Sequence, residues 1–82
     1  RSRGDRRETA NALHTWGMNE QGLGRWKAAI QLLQESLDTR RAVGDRRGTV
    51  DSMVGLAFAL QGCGQFEEAE RLERQSVATV AL

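Results

Sequence analysis

The sequence predicts an all-α protein made of two tandem antiparallel helix–turn–helix units, four helices in all. Three observations carry that reading. The 82 residues contain no proline, and alanine, leucine, glutamine, glutamate and arginine dominate, all residues that enter helices at low cost. The β-branched residues are few and do not alternate with polar ones. Finally, the chain repeats itself. Sliding it by 40 residues brings 13 of 42 positions into identity: Arg1, Gly4, Asp5, Arg6, Arg7, Thr9, Gln21, Gly22, Gly24, Ala29, Leu32, Ser36 and Thr39 all recur. Other pairs keep their type, among them Leu13 with Met53, Trp16 with Leu56, Trp26 with Phe66 and Leu37 with Val77. A period of this length signals stacked supersecondary units.

Each element has a local reason. Gly4-Asp5 and Gly44-Asp45 read as turns, with the aspartate as N-cap and, in the first copy, Glu8 three residues on in a capping-box-like position. The first helix then runs from about Arg6 to Gln21, and its counterpart from about Arg46 to Gln61. "GLG" at 22–24 and "GCG" at 62–64 end these helices, because glycine accepts the left-handed backbone of a helix C-terminus. The second helix of each unit runs from Arg25 to about Val43 and from Gln65 to about Ala81. Repeat one spans about 4–43 and repeat two about 44–82. Gly17 and Ala57, with Ala29 and Ala69, are small residues where paired helices approach. Glycine inside a helix costs about 1 kcal/mol relative to alanine, so Gly17 marks a packing requirement. Trp16, Trp26 and Phe66 read as core residues, with Trp26 and Phe66 plugging the helix pair just after the turn.

The same residues resemble the tetratricopeptide repeat. Copy one supplies Leu13, Trp16-Gly17, Gly24-Arg25-Trp26, Ala29 and Ser36. Copy two supplies Met53, Leu56-Ala57, Gly64-Gln65-Phe66, Ala69 and Ser76. The resemblance covers essentially the whole chain. It departs from the family in its period of 40 rather than 34, in the Gly-Asp turn that replaces a proline, and in the polar Glu20 and Glu73 at positions that are normally apolar. In these features the unit is similar to the long repeats of bacterial, especially actinobacterial, regulatory and signal-transducing proteins and of kinesin light chains. The resemblance implies a right-handed α-solenoid and a protein-interaction module acting as a scaffold or adaptor. The first helices of the units would line a concave groove for a peptide or partner domain. By that geometry the groove residues are Arg7, Asn11, His14, Met18 and Gln21 in copy one, and Arg47, Asp51, Val54, Phe58 and Gln61 in copy two. Val54 and Phe58 would offer an apolar anchor; the alternative is that Met18 and Phe58 simply pack between helices. The family's carboxylate clamp has only Asn11 as a counterpart, so binding of a chaperone C-terminus is not expected.

Two repeats are fewer than solenoids usually need to bury their faces. Val77, Val80 and Ala81 fall at helical spacing and would meet a further repeat. The expectation is an excerpt of a longer array; the alternative is a structural or self-associating segment that pairs through this face.

Other functions find little support. The formal net charge is +1. Eight of the twelve cationic residues cluster at Arg1, Arg3, Arg6, Arg7 and at Arg40, Arg41, Arg46, Arg47. Arg40 and Arg41 suit a helix C-terminus. Arg6 and Arg46 are expected to pair with Asp5, Glu8, Asp38, Asp45 or Asp51 in a salt-bridged linker. Nucleic-acid or acidic-ligand binding is a distant third, since it calls for excess positive charge and stacking aromatics. The single histidine and single cysteine, His14 and Cys63, lie 49 residues apart and have no metal-ligand spacing. "GLGRWK" at 22–27 is no phosphate loop. The expectation is a non-enzyme without cofactor or metal, with His14 a solvated groove residue. One unpaired cysteine, no signal peptide and no membrane-length apolar run point to the cytoplasm.

Overall fold

The computed structural model describes residues 3–81. Arg1 and residue 82, the ends of the repeat match, lie outside the described residues. Four helices follow one another: α1 (Arg3–Gly22), α2 (Trp26–Ala42), α3 (Arg46–Gly62) and α4 (Phe66–Ala81). Each packs on the next in sequence, and α1 also meets α3. The described residues form a slab with extents of 37 × 29 × 13 Å, one helix pair stacked on another.

The three turns are built alike. Gly24, Gly44 and Gly64 take φ values of +77°, +75° and +85°. At each of them two backbone N–H groups reach back into the preceding helix. At the middle turn Gly44 donates to the Arg41 carbonyl and Asp45 to the Arg40 carbonyl, at 3.1 and 3.0 Å. This is the Schellman closure of a helix, which needs a left-handed residue and therefore glycine. Asp45 then caps α3, its Oδ1 accepting the Gly48 N–H at 2.9 Å.

The matching prediction for Gly4-Asp5 fails. Both residues lie inside α1, with Asp5 in its first turn. The middle turn is held by the carbonyls of α2; among the described residues no helix precedes Gly4 to offer the same carbonyls, so the identical tetrapeptide continues as helix.

The core lies across α2, α3 and α4: Ala29, Leu33, Leu37, Met53, Leu56, Ala57, Ala59, Leu60, Ala69 and Leu72, flanked by Trp26 and Ile30. Gly17 earns its place, because a Cβ there would stand 2.8 Å from Leu33 Cγ. A second close approach was not read from the sequence. Gly48, Gly55 and Gly62 recur every seven residues, about two helical turns, and so share one face of α3. That face meets the α2 stripe Arg40, Leu33 and Trp26, also spaced by seven and running antiparallel. A Cβ at Gly62 would lie 2.6 Å from the Trp26 ring, one at Gly55 would lie 3.5 Å from Leu33 Cδ2, and one at Gly48 would lie 2.9 Å from Arg40 Cδ. Three missing side chains make room for three large ones.

Two aromatic assignments are corrected. Trp16 is 57% exposed and Phe66 66% exposed. Trp16 stands on the face of α1 that corresponds to the α2-covered face of α3, and Phe66 on the face of α4 that corresponds to the α3-covered face of α2. Among the described residues no helix covers either. Trp26 has that partner and plugs the turn as expected, meeting Phe58 edge-on at 6.3 Å between ring centroids.

Candidate functional site

α1 and α3 run side by side and leave a groove of about 510 Å³ between them, lined by His14, Met18, Gln21, Asp51, Val54, Gly55 and Phe58. Six of the ten residues assigned to a groove from the sequence thus come together. Val54 and Phe58 are exposed apolar groups on its α3 wall, and Met18 faces them from α1. Gly55 was not anticipated; a Cβ there would stand 3.3 Å from Met18 Sδ, so the glycine deepens the floor.

The other four differ. Arg7 and Arg47 are exposed and line no part of the groove. Gln61 is turned to the last helix, its Nε2 donating to Glu73 Oε1 at 2.8 Å. Asn11 is exposed, but its Oδ1 accepts from Arg40 Nη2 at 2.9 Å.

Arg40 is the organising residue behind the groove. Its side chain belongs to α2 and is only 7% exposed. Nη1 donates to the Gly48 carbonyl and to Ser52 Oγ, both at 2.9 Å, and approaches His14 Nδ1 at 3.4 Å. Ser52 Oγ is also 3.2 Å from Ser36 Oγ, and Ser36 donates to the Ala10 carbonyl at 2.8 Å. One guanidinium therefore ties α1, α2 and α3 together with no carboxylate among these partners. This corrects two expectations: Arg40 is a buried strut rather than a cation placed for the helix dipole, and His14 is half-buried in a network rather than solvated. Arginine can only donate, so in its contact with Arg40 the Nδ1 of His14 is the acceptor. Burial pushes the His14 pKa down, the nearby Arg40 cation pushes the same way, and Asp51 opposes them.

The ion pairs seen among the described residues are Arg25 with Glu20, Arg71 with Glu68 and Arg74 with Glu70, and none of these joins Arg46 to Asp38, Asp45 or Asp51. Glu20 and Glu73, the two polar departures from the repeat pattern, have partners in Arg25 and Gln61.

The face predicted for a further repeat is exposed. Val77 is 70% and Val80 67% exposed, with Ala81 exposed beside them. Among the described residues no helix is long and apolar enough to cross a membrane, and no three potential metal ligands come together.

With the helix pairs, the small residues at their crossings and the three glycine turns in view, the comparison with known families is decisive: the tetratricopeptide repeat model matches residues 8–80. The chain belongs to the tetratricopeptide repeat family. Such repeats generally mediate protein–protein interaction and bind proteins or peptides. They are typically non-enzymatic. No curated protein and no solved structure matches this chain.

Proposed function

We propose that this tetratricopeptide unit is a scaffold or adaptor that holds a peptide or partner segment in the groove between α1 and α3. The observation that supports this most is the alignment of exposed Val54 and Phe58 opposite Met18 along one open channel, with hydrogen-bonding groups at both ends. An apolar strip of this kind is the surface a partner side chain would cover. The chemistry required is binding alone; His14 is held by Arg40 and Ser52 within the network that ties the helices together.

Phe58→Ala and Asn11→Ala test the groove. Both should weaken capture of the partner while far-ultraviolet circular dichroism stays helical. Unchanged capture with both variants rejects the groove.

A second reading rests on a different surface. Phe66, Val77 and Val80 are exposed on α4, and the chain would then be one segment of a longer repeat array or would associate with itself there. Val77→Glu with Val80→Glu should abolish any oligomer seen by light scattering; a strict monomer before mutation rejects self-association. Under either reading the protein acts by binding in the cytoplasm, a reducing compartment that suits its single free cysteine at the α3 turn.

A further inference from the structure

We propose that the segment held in the α1–α3 groove carries a lysine or arginine two residues from a large apolar residue, the cation pairing with Asp51 and the apolar side chain seating among Met18, Val54 and Phe58. This inference rests on the groove being the binding surface.

The charge of the groove selects the cation. Among its lining side chains Asp51 is the one carboxylate, and no lysine or arginine stands with it. Asp51 is exposed and forms no ion pair among the described residues, not even with Arg47 one turn before it. A free carboxylate at the edge of an apolar strip gains most from a charged donor, since such hydrogen bonds are stronger than neutral ones. An acidic segment would meet repulsion at the same place.

Two uncharged groups complete the recognition. Asn11 stands at the repeat position of Asp51, and its Oδ1 is held by the buried Arg40. That grip leaves the Asn11 amide nitrogen to donate to a ligand carbonyl. Farther along the groove, Gln21 is only 8% exposed and its Oε1 has no hydrogen-bond partner. Buried polar atoms are almost always paired, so an orphaned amide oxygen in a groove wall calls for a donor. The terminal torsion of glutamine is soft, and a small rotation offers this oxygen to a ligand N–H. The groove thus presents a carboxylate at one end, an apolar floor, and an acceptor at the other, with the Asn11 amide outside its lining.

Helix geometry sets the spacing. The midpoint of Val54 and Phe58 lies five residues beyond Asp51, about 7–8 Å along α3. An extended peptide advances about 3.3 Å per residue and returns to the same face every second residue. A basic residue and an apolar one two positions apart therefore match Asp51 and the floor.

The test uses end-capped, fluorescently labelled peptides whose symmetry makes binding direction irrelevant: Leu-Ala-Arg-Ala-Leu, with the central arginine replaced by glutamate or glutamine as controls. Fluorescence polarisation should show the arginine peptide binding about tenfold more tightly than the glutamate peptide, with the preference shrinking at high salt. Asp51→Asn should remove most of the preference, and Phe58→Ala should weaken every peptide alike. Equal affinity for all three peptides, abolished together by Phe58→Ala, overturns the basic-residue assignment and leaves the groove standing. A preference that persists in Asp51→Asn overturns the assignment to Asp51. No binding by any peptide overturns the inference and counts against the groove as well.

Discussion

The outer face of α2 and the outer face of α4 occupy the same place in the repeat, yet they are chemically different surfaces. On α2 the stripe is Trp26, Leu33 and Arg40, and α3 covers it with three glycines. On α4 the same positions are Phe66, Glu73 and Val80, all exposed. The covered face tolerates a buried guanidinium because α1 and α3 supply its acceptors: the Gly48 carbonyl, Ser52 Oγ, Asn11 Oδ1 and His14 Nδ1. At position 80 the repeat has a valine instead. A repeat position thus specifies where a side chain stands, whereas the neighbour decides whether it carries stability.

That contrast can be broken most forcefully at its centre. Leu33 is fully buried, and Leu33→Ala should cost about 2–5 kcal/mol, because the cavity adds to the lost transfer energy. In a two-repeat unit that is enough to leave much of the protein unfolded. The equivalent Glu73→Ala removes one exposed hydrogen bond and should stay below about 1 kcal/mol. Urea denaturation followed by circular dichroism separates them; equal costs would mean that the two faces are not energetically distinct.

The next effect in size concerns the strut. Arg40→Ala strands several buried acceptors and should cost about 2–4 kcal/mol, while Val80→Ala should be near neutral. Arg40→Ala should also free Asn11 and loosen the α1–α3 groove, visible as faster amide exchange in α1. A neutral Arg40→Ala would show that the network contributes little.

Two glycines of α1 also have different surroundings. Gly17→Ala drives a methyl against Leu33 and should destabilise by about 1–2 kcal/mol, overpacking outweighing better helix propensity. Gly22, with open space around it, should gain up to about 1 kcal/mol as alanine.

The smallest effect is in pH. The folded-state pKa of His14 lies below its ordinary value of 6.5. The unfolded chain then takes up a proton more readily than the folded one, so stability falls as pH drops through about 6.5 towards the folded value and is flat above it. His14→Gln should flatten that limb of the profile. An unchanged slope would place the pH dependence elsewhere.

Much of the fold was legible because its signals are local or repeated. Helix-forming composition, the glycines at 24, 44 and 64 and the 40-residue echo each act without knowledge of the neighbour. Six of the ten residues that the family resemblance assigns to a groove line the channel between α1 and α3. The misreadings share a cause. Gly4-Asp5 matches Gly44-Asp45 letter for letter but has no preceding helix among the described residues to close a turn against. Trp16 and Phe66 match buried Leu56 and half-buried Trp26 by alignment but have no covering helix there. Gln61 matches Gln21, yet one amide bonds Glu73 on α4 while the other is buried in a groove wall. The seven-residue spacing of Gly48, Gly55 and Gly62 stands in the sequence, but a glycine stripe marks a close approach only once the opposing helix supplies Trp26, Leu33 and Arg40.

Four helices, their order and the turns between them can be read from the amino-acid order alone, since helix propensity and left-handed glycines are properties of short stretches of chain. That order also determines which side chains share a helical face. Which of those faces is core, groove or open surface depends on the packing of the helices, because burial depends on what stands opposite. Arg40 is the clearest case: a cation near a helix end by sequence, it becomes the buried tie between three helices only when Gly48 makes room for it and Asn11, His14 and Ser52 arrive to accept its hydrogen bonds.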